Sequence, residues 1–206
     1  RNMVSLQRAR IDLRSVIDAA VETSRPLIGA ARHHFSVTLP GDVVWLDADA
    51  TRVAQIVSNL LNNAAKYTPP GGEIRLVAEM LGDEVAIRIV DNGIGISEAM
   101  QPKIFDLFTQ VDRHSERSQS GLGVGLALAK RLAEMHQGRL DIQSEGAGHG
   151  SVFTLYLPIA GAAGLPGTDE QHATPPRQAA LRVMIIDDNL DAAEALAMLL
   201  EQLGHT

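Results

Sequence analysis

Of the 206 residues, 45% are hydrophobic, 21% charged and only 3% aromatic, the balance of a soluble globular chain whose core is built from Ala, Val, Leu and Ile. Eighteen Lys and Arg against 25 Asp and Glu leave a net charge of -7, with no basic stripe, so nucleic acid is not an expected partner. The absence of cysteine excludes a disulfide framework and thiol-based metal or redox chemistry, and fits a reducing compartment such as the cytoplasm.

Along the chain, Ile11 to Arg32 carries Val16, Ile17, Ala20, Val21 and Leu27 near helical spacing, and Pro26 predicts a kink or break within that helix. Phe35–Leu39 and Val43–Leu46 read as short strands around a Pro40-Gly41 turn. Asp49 to Lys66 reads as a helix with Val53, Ile56, Val57, Leu60 and Leu61 on one face, Asp49 or Thr51 as its cap, and Pro69-Pro70-Gly71-Gly72 as its stop. Glu73–Leu81 and Glu84–Val90 alternate around Gly82-Asp83 as a hairpin. Residues Ser97 to Ser120 are weakly periodic, apart from a helical piece near Phe105–Phe108, and read as a mobile cover. Leu122–His136 reads as a helix, and Gly138–Ser144 with Ser151–Leu157 as a second hairpin. Composition then shifts to Gly, Ala, Pro, Thr and Gln, which divides the chain into a domain over 1–159, a linker over 160–180 and a final segment over 181–206. The main body is expected to be a two-layer α/β sandwich: a mixed, mostly antiparallel sheet packed on three helices. No apolar run approaches the roughly 20 residues of a membrane helix, and no signal peptide is legible. The first residue is Arg1 rather than Met, so a fragment is expected, and an inner-membrane anchor would lie outside it.

Three motifs carry chemistry. In Asn59-Leu60-Leu61-Asn62-Asn63-Ala64-Ala65-Lys66-Tyr67-Thr68, residues Asn59, Asn63 and Lys66 fall at i, i+4 and i+7 on one side of a helix. Carboxamide oxygens are hard ligands that suit Mg²⁺ beside phosphates, and Lys66 is near enough to meet phosphate charge. In Asp91-Asn92-Gly93-Ile94-Gly95, an acid ends an apolar strand where it can accept from an amino group, and two glycines let the backbone approach a flat ligand. In Gly121-Leu122-Gly123-Val124-Gly125-Leu126, glycines open a helix whose free N–H groups suit phosphate oxygens. This last motif lacks the Lys-Ser/Thr of a P-loop and follows no strand, unlike a dinucleotide fingerprint. Each alone reads more readily as ordinary structure: solvated helix residues, a loop exit, a turn. Their order and spacing together are far more specific.

Together they resemble the N, G1 and G2 boxes of the sensor histidine kinase catalytic domain, the Bergerat ATP-binding fold of the superfamily that includes gyrase, Hsp90 and MutL. Ile104-Phe105-Asp106-Leu107-Phe108 resembles its F box, and Gly138 and Gly150–Pro158 also look like it. The resemblance spans about Leu6 to Pro158 and implies Mg-ATP as ligand. It assigns Asp91 to the adenine, Asn63 to Mg²⁺ with Asn59 beside it, Lys66 to phosphate and Tyr67 to the base. Gly93 and Gly95 match the first glycine pair. Gly121, Gly123 and Gly125 match the second set, with Leu122 and Val124 between them. Arg117, or Arg113 close by, falls where many members have a lid Arg for the γ-phosphate. Asn59 stands where hydrolysing relatives resemble one another in a Glu that activates water. An amide cannot serve as a general base, so transfer to a protein is favoured over a gyrase- or MutL-like ATPase; the presence of all the recognisable box residues favours it over a binding module without transfer.

None of His33, His34, His114, His136, His149, His172 and His205 stands in the His-Glu/Asp context of a phosphoacceptor. The His33-His34 pair reads as a helix C-terminal dipole partner. The acceptor hairpin, a dimerising element of the same protein, is therefore expected before Arg1, in a full-length homodimer. Val183–Ile186 followed by Asp187-Asp188-Asn189 resembles the first strand and acidic edge of a receiver domain, cut short before its phosphoacceptor Asp. That implies a hybrid kinase, with a receiver or response regulator as partner.

Overall fold

In a computed structural model, residues 6–107, 109 and 123–160 are described, and over them the two periodicities of the sequence separate into two layers. Strands β2 (His34–Thr38), β4 (Glu73–Leu81), β5 (Glu84–Asp91), β6 (Arg139–Gln143) and β7 (Ser151–Pro158) form one sheet in the order β2-β4-β5-β7-β6. Only β2–β4 is parallel; the other three pairings are antiparallel. A separate ribbon pairs β1 (Ala9–Asp12) with β3 (Trp45–Ala48). Helix α2 (Ala50–Tyr67) packs between α1 (Leu13–Ala30) and α3 (Gly125–Met135). This is the expected mixed, mostly antiparallel sheet with three helices. No helix among the described residues is long and apolar enough to cross a membrane.

The core lies between the layers because alternate residues of each strand face the helices. Ile74 and Leu76 of β4, Ile87 and Ile89 of β5, and Leu155 of β7 meet Val53, Ile56, Val57, Leu60 and Leu61 of α2, and all are fully buried. Each such side chain contributes about 1.5–3 kcal/mol on leaving water. The opposite sheet face carries ion pairs, Arg88 with Glu79 and Arg139 with Glu84.

Several local expectations change. Ile11 belongs to β1, not to the first helix, because Asp12 accepts the Arg14 N–H at 3.0 Å and starts α1 one residue later. α1 runs unbroken through Pro26. Pro26 and Glu22, the residue four before it whose carbonyl loses its N–H partner, are both exposed, so the missing hydrogen bond falls on the solvent face of α1 and not in the core. Leu27 is exposed and Ile28 takes the core position instead. The second strand is Trp45–Ala48 rather than Val43–Leu46. The helical piece near Phe105–Phe108 is instead a short 3-10 helix at Gln101–Lys103 followed by turns; Phe108 lies outside the described residues. So do the linker and receiver-like segments, from residue 161 onward.

Asp49 caps α2 as anticipated, its carboxylate accepting the Arg52 N–H at 3.2 Å. The same residue joins three elements. Its second oxygen accepts from Gln7 N at 2.9 Å, and its own N–H donates to Nε2 of the buried His136 at 3.0 Å. His136 Nδ1–H donates to the Leu132 carbonyl at 2.7 Å, which makes the ring neutral with its proton on Nδ1. Burial pushes this imidazole below its ordinary value, against the hydrogen bond to Leu132 that favours the charged form.

Candidate functional site

The last two turns of α2, the loop after β5 and the start of β7 enclose a recess of about 380 Å³, including its open side. One wall is Asn63, Ala64 and Tyr67 of α2, residues that project beside the helix's core face. Ile94, Ile96, Ile104, Leu126 and Phe153 make the rest aliphatic or aromatic, with Gly95 at the edge. Asp91 and Ser151 supply the polar lining at the end of β5 and the start of β7, where they are direct cross-strand partners.

Asp91 is buried, yet both of its oxygens are held. Oδ1 accepts from Gly93 N at 2.8 Å, and Oδ2 accepts from the Ser151 hydroxyl. Burial pushes its pKa above the ordinary carboxylate value, and the bonds from Ser151 and Gly93 oppose that shift. A fixed carboxylate among apolar walls matches a flat heteroaromatic ring that presents an exocyclic amino donor.

The glycines of the Asp91–Gly95 loop have a second use beyond ligand approach. A Cβ on Gly93 would lie 2.6 Å from the Tyr67 carbonyl and 2.7 Å from Asp91 Oδ1. Gly95 adopts φ +69°, and a Cβ there would lie 2.0 Å from the Gly146 carbonyl. The loop is therefore pressed between the end of α2 and the β6–β7 turn, and stitched to both. Ile94 N donates to Tyr67 O at 3.1 Å, and Gly150 N to Gly93 O at 3.1 Å.

Asn59, one turn before Asn63, donates from Nδ2 to the Gly125 carbonyl at 3.4 Å and so ties α2 to the first turn of α3. Gly123 and Val124 lead into that turn. Val124, at the N-cap position, has no side-chain oxygen with which to cap α3. Lys66 Nζ lies 5.1 Å from the Tyr67 ring centroid. Asn63, Tyr67, Asp91 and Gly95 thus share the recess, with Gly93 beneath it; Asn59, Gly123, Val124 and Gly125 adjoin it through α3. Arg113, Arg117, Gly121, Leu122 and the second half of the Ser97–Ser120 cover lie outside the described residues.

The sequence assigns no site role of their own to Ile104 and Leu126, which stand at the ends of two of its motifs, nor to Ser151. The signal for Ser151 is its register opposite Asp91, which is legible only once β5 and β7 are known to be neighbours. His33 also differs from expectation. It serves not the helix it follows but α2: Nε2–H donates to the Ala65 carbonyl at 2.9 Å.

Residues 48–161 match the family model described as histidine kinase-, DNA gyrase B-, and HSP90-like ATPase. The chain is 34% identical over 160 residues to the adaptive-response sensory kinase SasA of Thermosynechococcus vestitus, covering 77% of this chain and 41% of that protein. It is 43% identical over 111 residues to the circadian input-output histidine kinase CikA of Synechococcus elongatus, covering 54% of this chain and 15% of that one. The chain thus spans less than half the length of these relatives. Among solved structures, the mycobacterial sensor histidine kinase MprB superposes with a TM-score of 0.66 at 28% identity, over 73% of this chain and 98% of that one. The histidine kinase ThkA, solved in complex with the response regulator protein TrrA, gives 0.62 at 22% identity over 74% and 42%, a likeness of fold.

Proposed function

The chain belongs to the histidine kinase-, DNA gyrase B- and HSP90-like ATPase family, and from that premise we propose that it binds Mg-ATP and donates the γ-phosphoryl group to a histidine outside this sequence, in two-component phosphorelay signalling. The observation that carries the reading is Asp91, a buried carboxylate held by Gly93 and Ser151 in an otherwise apolar recess; its remaining lone pairs would accept from an adenine amino group.

In this reading Tyr67 and the aliphatic walls take the base, and Lys66 meets phosphate charge. The glycine-rich motif Gly121-Leu122-Gly123-Val124-Gly125 offers N–H groups to phosphate oxygens. Arg117 supplies a further cation at the γ-phosphate. Asn63, with Asn59 one turn away, has the hard carboxamide oxygen that Mg²⁺ accepts beside phosphates; the cation would neutralise phosphate charge. Asn59 has no basic atom with which to activate water, so the arrangement favours transfer over hydrolysis. Residues 1–159 act as the catalytic domain, 160–180 as a linker and 181–206 as the start of a receiver, in a cytoplasmic part of a longer homodimeric protein. A response regulator is the downstream partner, a reading supported by the ThkA–TrrA complex.

Displacement of a fluorescent ATP analogue tests the nucleotide. ATP and ADP should compete. GTP should be weaker by a factor of about 10⁴, because guanine would set a carbonyl oxygen against the Asp91 carboxylate. Equal competition by GTP would remove Asp91 as the reader of the base.

A further inference from the structure

The C-terminal turn of α2 carries Lys66 and Tyr67, yet the sequence after it cannot close it. The Ala65 carbonyl would ordinarily accept from the N–H of residue 69, which is Pro69 and has none. Pro69 also forces Thr68 out of the helix, to φ -91° and ψ 132°. A side chain from another element fills the gap. His33 is buried, and its Nε2–H donates to the Ala65 carbonyl at 2.9 Å.

His33 is delivered there by the way α1 ends. Arg32 takes the left-handed φ of 54°, its N–H donates to Gly29 O at 3.0 Å, and His33 N–H donates to Ile28 O at 3.1 Å, the two bonds of a Schellman motif. The reversal turns the His33 ring toward α2. Two backbone bonds clamp the same junction: Gly71 N to Ala31 O at 2.9 Å and His34 N to Gly72 O at 2.8 Å. On the far side, Ile94 N takes the Tyr67 carbonyl at 3.1 Å. The turn is therefore held from the recess side by the Asp91–Gly95 loop and from the opposite side by His33.

We propose that His33 is a positioning residue for nucleotide binding: a cap supplied in trans from the α1–β2 connection, which holds the last turn of α2, and with it Lys66 and Tyr67, in register with the recess. The nucleotide part of this statement rests on the function proposed above. His33 itself does not line the recess, and it acts only through the Ala65 carbonyl.

The test compares His33→Phe, which keeps a ring but removes the donor, with His33→Gln, which restores an N–H donor. Two quantities are read on the full chain: the ATP dissociation constant by calorimetry, and amide hydrogen exchange at Lys66, Tyr67 and Thr68 without nucleotide. His33→Phe should weaken ATP binding about tenfold and speed exchange in that turn by a similar factor, as expected when a buried carbonyl loses its partner. His33→Gln should stay within about threefold of the parent chain in both. Equal behaviour of the Phe and Gln variants, or unchanged affinity and exchange in both, overturns the proposal by reducing His33 to packing. A parent chain that binds no ATP would sink the nucleotide reading. The exchange rates would still decide whether His33 caps the turn, so the two failures are distinguishable.

Discussion

Asn63 and Asp91 face the same recess with different chemistry, one a neutral amide and the other a buried acid. If Asn63 ligates a cation and not the base, Asn63→Ala should cost about tenfold in ATP affinity with Mg²⁺ present, equivalent to roughly 1.4 kcal/mol. In EDTA it should cost little. Paired titrations of parent and variant check this, and equal losses in both conditions would point to a direct phosphate contact. At this scale much of the site was legible, because Asn63, Asp91 and Gly95 sit in short motifs whose residue types are themselves the chemistry. Ser151 was not. A serine at the start of a strand says nothing until the register sets its hydroxyl against Asp91, 60 residues away.

Elements are closed by their ends, and two helix ends here are built at a cost. α1 and α3 both finish in Schellman motifs with non-glycine residues at positive φ, Arg32 at 54° and Gln137 at 60°. A left-handed L-residue costs about 1–2 kcal/mol, part of which glycine would return as unfolded-state entropy. Gln137→Gly and Arg32→Gly should therefore each stabilise by about 0.5–1 kcal/mol, read as a rise of a few degrees in Tm. A fall in Tm would mean that the side chains make contacts worth more than the strain. The α2–α3 junction adds a pH dependence through His136. Its folded-state value is depressed below the ordinary 6.5 by burial. The unfolded chain therefore binds the proton first as pH falls, so the stability that neutral His136 contributes is complete above about pH 6.5 and declines below it, by at most about 1.4 kcal/mol per pH unit. Urea unfolding between pH 7.5 and 5 should show a steeper acid loss for the parent than for His136→Asn. Parallel curves would remove His136 as the cause.

On the scale of the whole molecule, the recess and the phosphoacceptor are expected in different parts of the protein. No histidine here stands in an acceptor context, and Asn59 cannot activate water. The chain alone should therefore bind ATP, hydrolyse it very slowly and gain no label from radiolabelled ATP. Under the proposed function, adding a histidine kinase dimerisation hairpin that carries the acceptor histidine should produce acid-labile label, which Lys66→Ala should reduce by withdrawing charge from the transferred group. Extension to a complete receiver should add an acyl phosphate. Brisk hydrolysis, or stable labelling of the chain alone, would place it in the hydrolysing branch of the family. What the sequence by itself determined is what contiguous residues encode. The amphipathic period of α2, its Asp49 cap and Pro-Pro stop, both hairpins, and the order of three motifs that identify the family are all local. What only the tertiary structure decided is what distant residues do for one another. His33 caps a helix 32 residues on, and Asp49 meets His136 across 87. α1 passes through Pro26, which stands on its exposed face, and β3 pairs with β1 outside the main sheet. Periodicity specifies which face of an element is buried; which neighbour covers it, and in what register, is set when the layers pack.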